Sequence, residues 1–130
     1  MPEIGDTYFN KVIDCRGVSP HLWIVISDPK KDPENIVMVN ITTHLDNALR
    51  ECLLFPSDYP SFIKEPSYVH YKEAQLTNCD AIKYKIDESI FEQRPAISPE
   101  TLRKLLSHAA RSKFIPRECR RTLQKQGLIK

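Results

Sequence analysis

The chain has 130 residues, a length that fits one domain with its own hydrophobic core. The composition is 41% hydrophobic and 28% charged, and no apolar run approaches the roughly 20 residues of a membrane-spanning helix, so the sequence predicts no membrane segment. The opening MPEIGDTYFN lacks a basic start and an apolar segment, so we expect no signal peptide and a cytoplasmic location.

The cysteines give no sign of a metal or redox site. They lie far apart and form no C-x-x-C pair, so the simplest interpretation is that they are reduced and mostly buried. We therefore expect neither a bound metal nor another cofactor. The four positions are Cys15, Cys52, Cys79 and Cys119.

Runs of strand length dominate the first part of the chain. They are rich in apolar and β-branched residues, and turn signals such as CRGVSP, DPKKDPEN and FPSDYPSF separate them. Short strands at this spacing predict a mainly β fold, either a barrel or a sandwich. The six predicted strands are Tyr8–Ile13, His21–Ser27, Ile36–Thr43, Glu51–Phe55, Ser67–Tyr71 and Ala81–Ile86.

The end of the chain changes to helical periodicity. In Ser98-Pro99-Glu100, Ser98 is a good N-cap, and proline suits the first helical position. A second helix is predicted to open at Pro116 and to close at Gly127. We therefore expect a single domain over residues 1–130, with a β part over about 3–90 and C-terminal helices over about 98–127.

Charge is unevenly distributed along the chain. The net charge is only +2, but residues 101–130 hold nine Lys or Arg and one acid, Glu118. Arg117, Arg120, Arg121 and Lys125 recur on one side of the second predicted helix. Such a stripe is either an ordinary solvated helix face or a surface that contacts the phosphates of a nucleic acid.

Several polar and aromatic residues lie where strands begin or end. His21 begins a strand shortly after Arg16, and Thr42, Thr43 and His44 end the next strand. Further along, SYVHY contributes Ser67, Tyr68 and His70, and strand alternation places Ser67 on the opposite face from the other two. Each of these residues, taken alone, can also be explained by strand packing.

The order of these segments resembles the PemK-like and MazF-like toxin family. GDTYFN, HLWIVISDP, IVMVNITTH, SYVHYKEA and a Ser-Pro helix start follow one another over residues 3 to 115. The resemblance implies an SH3-like barrel followed by one or two helices. It also implies the toxin of a toxin–antitoxin system: a dimeric, metal-independent endoribonuclease that binds RNA and is inhibited by a cognate antitoxin.

The resemblance also implies site residues, which fit the chemistry of RNA cleavage without a metal. Such cleavage needs a proton acceptor for the 2′-OH, a proton donor for the leaving 5′-oxygen, and donors to the phosphorane. The hypothesis assigns His21 to proton transfer, Thr42 to phosphate binding at the reacting centre, and Arg16 to charge stabilisation. The remaining substrate-binding candidates are Thr43, His44, Ser67, Tyr68, His70, Arg117, Arg120 and Arg121.

The sequence departs from the family pattern at two places. Pro20-His21 stands where family members typically carry Arg-Pro, and Tyr59-Pro60 stands where a His-Pro pair is common. Two alternatives follow: a catalytically inactive SH3-like binding module, or a regulatory protein that binds nucleic acid through the basic tail. A metal site built from His21, His44 and His70 is disfavoured because no acidic residues accompany them at characteristic spacing.

Overall fold

The computed structural model describes residues 1–12 and 20–130. The described residues form a mixed fold of seven strands and three α-helices. The elements are β1 (Thr7–Asn10), β2 (Leu22–Val25), β3 (Ile36–Thr42), β4 (Glu51–Leu54), β5 (Ser67–Val69), β6 (Gln75–Thr77), α1 (Cys79–Asp87), β7 (Phe91–Arg94), α2 (Pro99–Arg111) and α3 (Arg117–Lys125).

The strands form one antiparallel sheet. Its order is β4-β5-β3-β2-β1-β7, and β6 pairs with the first half of β3. In the described part of the chain β4 and β7 are the two ends of this order, so the pairings found there leave the sheet open. The longest strand, β3, pairs with three neighbours and lies at the centre.

The sheet is covered on both faces, which explains why β2 and β3 read as continuous apolar runs. Leu22, Ile24 and Val39 lie in one cluster with residues of α2 and α3, whereas Trp23 and Met38 lie in a second cluster with Ile82 of α1. Side chains alternate between the faces of a strand, so both faces of a strand covered on each side must be apolar.

The two predicted C-terminal helices are confirmed. The side chain of Ser98 accepts a hydrogen bond from the Thr101 amide at 3.1 Å, which satisfies a free donor at the start of α2. Leu105 on α2 and Leu123 on α3 are fully buried against the sheet. Gly127 has a positive φ of 71°, a conformation that favours glycine after a helix end.

The prediction of a strand over Ala81–Ile86 is wrong, because these residues lie within α1. The side chain of Asn78 caps this helix by accepting from the Ala81 amide at 2.8 Å. An ion pair between Lys83 and Asp87, spaced four residues apart, lies on its exposed side. The helices are therefore not confined to the C-terminal end, and α1 precedes the last strand, β7.

Other strand limits differ from the prediction for local reasons. The strand predicted over Ser67–Tyr71 ends at Val69, because Tyr71 enters a short helical turn and its hydroxyl donates to the Leu105 carbonyl at 2.7 Å. The first strand ends at Asn10, and Ile13 lies outside the described residues. None of the helices in residues 1–12 and 20–130 has the length and apolar character required to cross a bilayer.

Candidate active site

A cleft of about 460 Å³ lies at one end of the sheet, where β2 begins, β3 ends and β5 begins. The register explains the convergence: Leu22 pairs with Ile41, so the antiparallel arrangement brings His21 alongside Thr42. Its lining combines apolar side chains with hydroxyl and imidazole groups. It is lined by Pro20, His21, Leu22, Ile41, Thr42, Thr43, His44, Phe62 and Ser67.

Five of the sequence-predicted site residues therefore meet in one place. His21, Thr42, Thr43, His44 and Ser67 all line the cleft, although they come from three separate segments. None of the described residues lining the cleft is a carboxylate. Hydroxyl and imidazole groups can donate hydrogen bonds to an anion, so the cleft is chemically suited to a phosphate group.

Thr42 ends its strand by bonding to its own loop. Its hydroxyl accepts a hydrogen bond from the His44 amide at 3.2 Å, and the same hydroxyl lies 3.3 Å from the His44 carbonyl, to which it can donate. This local bonding competes with strand pairing and turns the chain. Thr43 and His44 are consequently exposed at the cleft rim.

The side chains of Ser67 and His21 are less exposed than those of Thr43 and His44. Ser67 is buried, and its hydroxyl donates to the Glu65 carbonyl at 2.9 Å. His21 is half-buried, and its backbone carbonyl accepts from the Asn10 amide at 3.0 Å, which ties the start of β2 to β1. The backbone therefore fixes the position from which the imidazole enters the cleft.

Tyr68 and His70 are not among the described residues that line the cleft. Tyr68 lies on the face of β5 opposite Ser67, and His70 follows the end of that strand. His70 Nδ1 lies 2.9 Å from Oε1 of Glu73, and Glu73 also accepts from the side chain of the buried Asn40 at 3.3 Å. His70, Glu73 and Asn40 thus form a polar cluster beside the sheet, and these contacts are a structural explanation for the presence of His70.

The sequence interpretation missed Arg50. Its guanidinium carbon lies 4.9 Å from the ring centroid of Tyr68, a cation–π contact, and its Nε donates to the Leu45 carbonyl at 2.9 Å. No periodicity reveals this contact, because it depends on how the loop after Thr42 folds back onto β5. The arginine predicted to serve the site, Arg16, lies outside the described residues.

The basic residues of α3 divide into two kinds. Arg120 donates to the carbonyls of Ala110 at 2.9 Å and Ser112 at 2.6 Å, so its guanidinium satisfies acceptors at the end of α2. Arg117 and Arg121 are exposed. The three arginines remain predicted substrate-binding residues, and Arg120 differs from the other two because its guanidinium already donates to the protein itself.

Two buried thiols are poorly suited to nucleophilic chemistry. Burial raises the pKa of Cys52 to about 11, and burial together with Glu118 raises the pKa of Cys119 to about 11. Both thiols therefore stay protonated near neutral pH, whereas the thiolate is the reactive form. In the part of the chain that the structure describes, no three His, Cys, Asp or Glu side chains are grouped as a metal site would require.

A second cavity of about 360 Å³ lies on the face covered by α1. Among its described lining residues there is no threonine, serine or histidine, so its chemistry differs from that of the cleft. It is lined by Met1, Pro2, Asp6, Tyr8, Cys79, Asp80, Ile82, Lys83, Ile86, Asp87 and Gln93.

Comparison with known proteins returned no matching family model and no matching curated protein.

Proposed function

We propose that the protein is the toxin of a toxin–antitoxin system, a metal-independent endoribonuclease of the PemK-like and MazF-like type that cleaves single-stranded RNA. The observation that carries the proposal is the cleft, where His21 and the hydroxyls of Thr42, Thr43 and Ser67 converge without a carboxylate in the described lining. In this proposal the open sheet is a form of the SH3-like barrel of that family. The resemblance also supports a cytoplasmic homodimer with an antitoxin partner.

The proposed reaction is an internal transfer at the RNA phosphate. The 2′-oxygen attacks the adjacent phosphorus as its proton leaves, and the bond to the 5′-oxygen breaks as that oxygen takes up a proton. The products are a 2′,3′-cyclic phosphate and a 5′-hydroxyl. His21 is assigned to one of the two proton transfers, because an imidazole can both accept and donate a proton near neutral pH.

The hydroxyl groups are assigned to stabilising the negative charge that develops on the phosphate oxygens. Thr42, Thr43 and Ser67 can each donate one hydrogen bond to a non-bridging phosphate oxygen. The hydroxyls of Thr42 and Ser67 now lie within hydrogen-bond distance of nearby backbone carbonyls, so a rotation of either side chain redirects its O–H. A donor placed at a developing negative charge contributes roughly 10²–10³-fold to the rate.

A second candidate function is RNA binding without cleavage. The observation that favours it is the absence of Lys and Arg among the described residues that line the cleft, since a cation normally helps to stabilise a doubly negative phosphorane. His21 occupies the position where the family pattern has arginine. Such a module would bind the phosphate and leave the RNA intact.

One experiment separates the two candidates. Purified protein is incubated with labelled single-stranded RNA in EDTA, and the products are analysed for 2′,3′-cyclic phosphate ends. We expect cleavage by the native protein, a loss of roughly 10²–10⁴-fold in His21→Gln, and little change in His108→Gln, which alters a histidine outside the cleft. RNA that is bound but never cleaved would contradict the endoribonuclease proposal and support the binding module.

A further inference from the structure

Arg50 differs from the described cations that are paired with acids. Four described lysines lie within ion-pair distance of a carboxylate, as in the pairs Lys83 with Asp87 and Lys104 with Asp58. Arg50 instead rests on the ring of Tyr68 and on a single carbonyl, that of Leu45. Among residues 1–12 and 20–130, no carboxylate lies within ion-pair distance of its guanidinium.

The guanidinium is held in place while most of its donors stay available. Only Nε donates to a described residue, and the two terminal amino groups, with four N–H bonds, make no hydrogen bond to the described part of the protein. A planar guanidinium whose orientation is already fixed loses little side-chain entropy when it binds an oxyanion. Arg50 thus has the properties of a prepared phosphate-binding group.

The position of Arg50 connects it to the cleft. Tyr68 is the direct partner of Thr42 in the pairing of β5 with β3, and Thr42 lines the cleft. Directly opposed residues carry their side chains on the same face with Cβ atoms about 5 Å apart. The Arg50–Tyr68 pair therefore lies one cross-strand position from the proposed phosphate site, on the side that Thr42 faces.

The same contact changes the interpretation of Tyr68. Tyr68 is one of the substrate-binding candidates predicted from the sequence, a role in which its ring could stack on a nucleobase, but Arg50 occupies one face of that ring. A base cannot stack on that face while the guanidinium lies there. Tyr68 is better explained as a positioning residue that holds Arg50 through the cation–π contact.

We propose that Arg50, held on Tyr68, binds a backbone phosphate of the RNA next to the phosphate in the cleft. This inference rests on the proposed function for the identity of the ligand. It supplies a cation that the described lining of the cleft lacks, and it places that cation at a flanking phosphate. The RNA strand would then cross the end of the β-sheet from the cleft to the Arg50–Tyr68 pair.

The test measures binding of an oligonucleotide that cannot be cleaved. A short 2′-O-methyl RNA removes the attacking hydroxyl, and its dissociation constant is measured at several salt concentrations for the native protein and three groups of variants. The first group is Arg50→Gln and Arg50→Lys. The second is Tyr68→Phe and Tyr68→Leu. The matched control is Lys31→Gln, which removes one exposed positive charge from the turn at the opposite end of the β2–β3 hairpin.

The expected results differ among the variants. Arg50→Gln weakens binding roughly tenfold and reduces the salt slope by about 0.7, the value for one phosphate contact on a single strand. Arg50→Lys keeps most of the slope but loses affinity, because an ammonium lacks the planar fork. Tyr68→Phe behaves like the native protein, whereas Tyr68→Leu weakens binding roughly threefold. Lys31→Gln leaves affinity and slope unchanged.

The outcomes are separable from those of the cleavage assay. Thermal unfolding of every variant is measured alongside, so that a loss of fold is recognised, and the Arg50 variants provide the test where Tyr68→Leu is unfolded. If the native protein cleaves RNA but Arg50→Gln binds with the native affinity and slope, the inference about Arg50 is overturned and the proposed function stands. Arg50-dependent binding without any cleavage supports the inference and contradicts the endoribonuclease. Equal effects of Arg50→Gln and Lys31→Gln overturn the inference, because they show a general charge effect.

Discussion

Thr42 and Tyr68 stand directly opposite each other on β3 and β5, and this pairing joins the two halves of the proposed RNA site. Thr42 contributes to the cleft, while Tyr68 carries Arg50 on the same side of the sheet. Because register in a sheet is set by the pattern of buried residues, a slip of one residue would separate these two groups onto opposite faces. The burial of Ile41 and Val69, which also pair, holds the register.

Arg120 is predicted to contribute to stability, and Arg121 is not. Replacing Arg120 with alanine removes hydrogen bonds to the carbonyls of Ala110 and Ser112 and should lower the free energy of unfolding by about 1–3 kcal/mol. The matched variant Arg121→Ala changes an exposed residue of the same helix and should stay within about 0.5 kcal/mol. Urea denaturation of both variants measures the difference. Equal stabilities would show that the Arg120 contacts contribute nothing.

Asn78 is predicted to stabilise α1, the helix that the sequence interpretation assigned to a strand. Its side-chain oxygen accepts from the Ala81 amide, so Asn78→Ala should lower the free energy of unfolding by about 1 kcal/mol. Asn78→Asp retains the acceptor and should behave nearly as the native protein does. Thermal or urea unfolding distinguishes the two variants, and an unaffected alanine variant would show that the cap is not formed in solution.

The missed helix shows what a single sequence conveys and what it does not. The central strands were predictable because β2 and β3 are covered on both faces and therefore carry long apolar runs. The segment at Ala81–Ile86 has only Ile82 fully buried, so its apolar residues follow no period that distinguishes helix from strand. Its start signal, Asn78, is a cap only when the chain beyond it is helical.

The candidate site was predictable in part for a similar reason. His21 and Thr42 come together because two adjacent strands have a fixed antiparallel register, which the apolar pattern sets. The contacts of Arg50, Arg120 and His70 depend on loop paths and on packing between distant elements. Such contacts leave no periodic trace in the sequence. For the same reason the structure distinguishes Arg120 from Arg121, which look alike in the sequence.

The cysteines are predicted to differ in reactivity. Burial raises the pKa of Cys52 and of Cys119 to about 11, so little thiolate forms at neutral pH and access is restricted. Cys79 is partly exposed and should be alkylated by iodoacetamide much faster than either. Mass spectrometry of the alkylated peptides, recorded over time without denaturant, follows each residue separately. Alkylation of Cys52 or Cys119 at the rate of Cys79 would contradict the buried environment.

His108 is predicted to make stability fall at mildly acidic pH. Burial, followed by the charges of Arg111 and Lys104, lowers its pKa below the usual 6.5, although Glu51 acts in the opposite direction. As the pH falls through the pKa that His108 has in the unfolded chain, the unfolded chain binds more protons than the folded protein does. This proton uptake stabilises the unfolded state. The contribution of His108 to the free energy of unfolding should be fully present above the pKa of this residue in the unfolded chain, and it should decrease as the pH falls below that pKa. The exposed part of the ring limits the size of the effect.

The variant His108→Gln isolates this contribution. Urea unfolding of the native protein and of the variant at about pH 7.5 and about pH 5.5 gives four free energies. We expect the native protein to lose more stability between the two conditions than the variant does. If both proteins lose the same free energy of unfolding between the two conditions, the pH dependence comes from titratable groups other than His108.

The most direct test of the proposed site compares two threonines. Thr42→Val removes a hydroxyl from the cleft, and Thr77→Val removes one from β6, which pairs with the opposite end of β3. The measured quantity is kcat/KM for cleavage of single-stranded RNA in EDTA. The proposal predicts a loss of roughly 10²–10³-fold for Thr42→Val and a native value for Thr77→Val. Native activity in a folded Thr42→Val variant, or an equal loss in both variants, would contradict the assignment of the cleft as the active site.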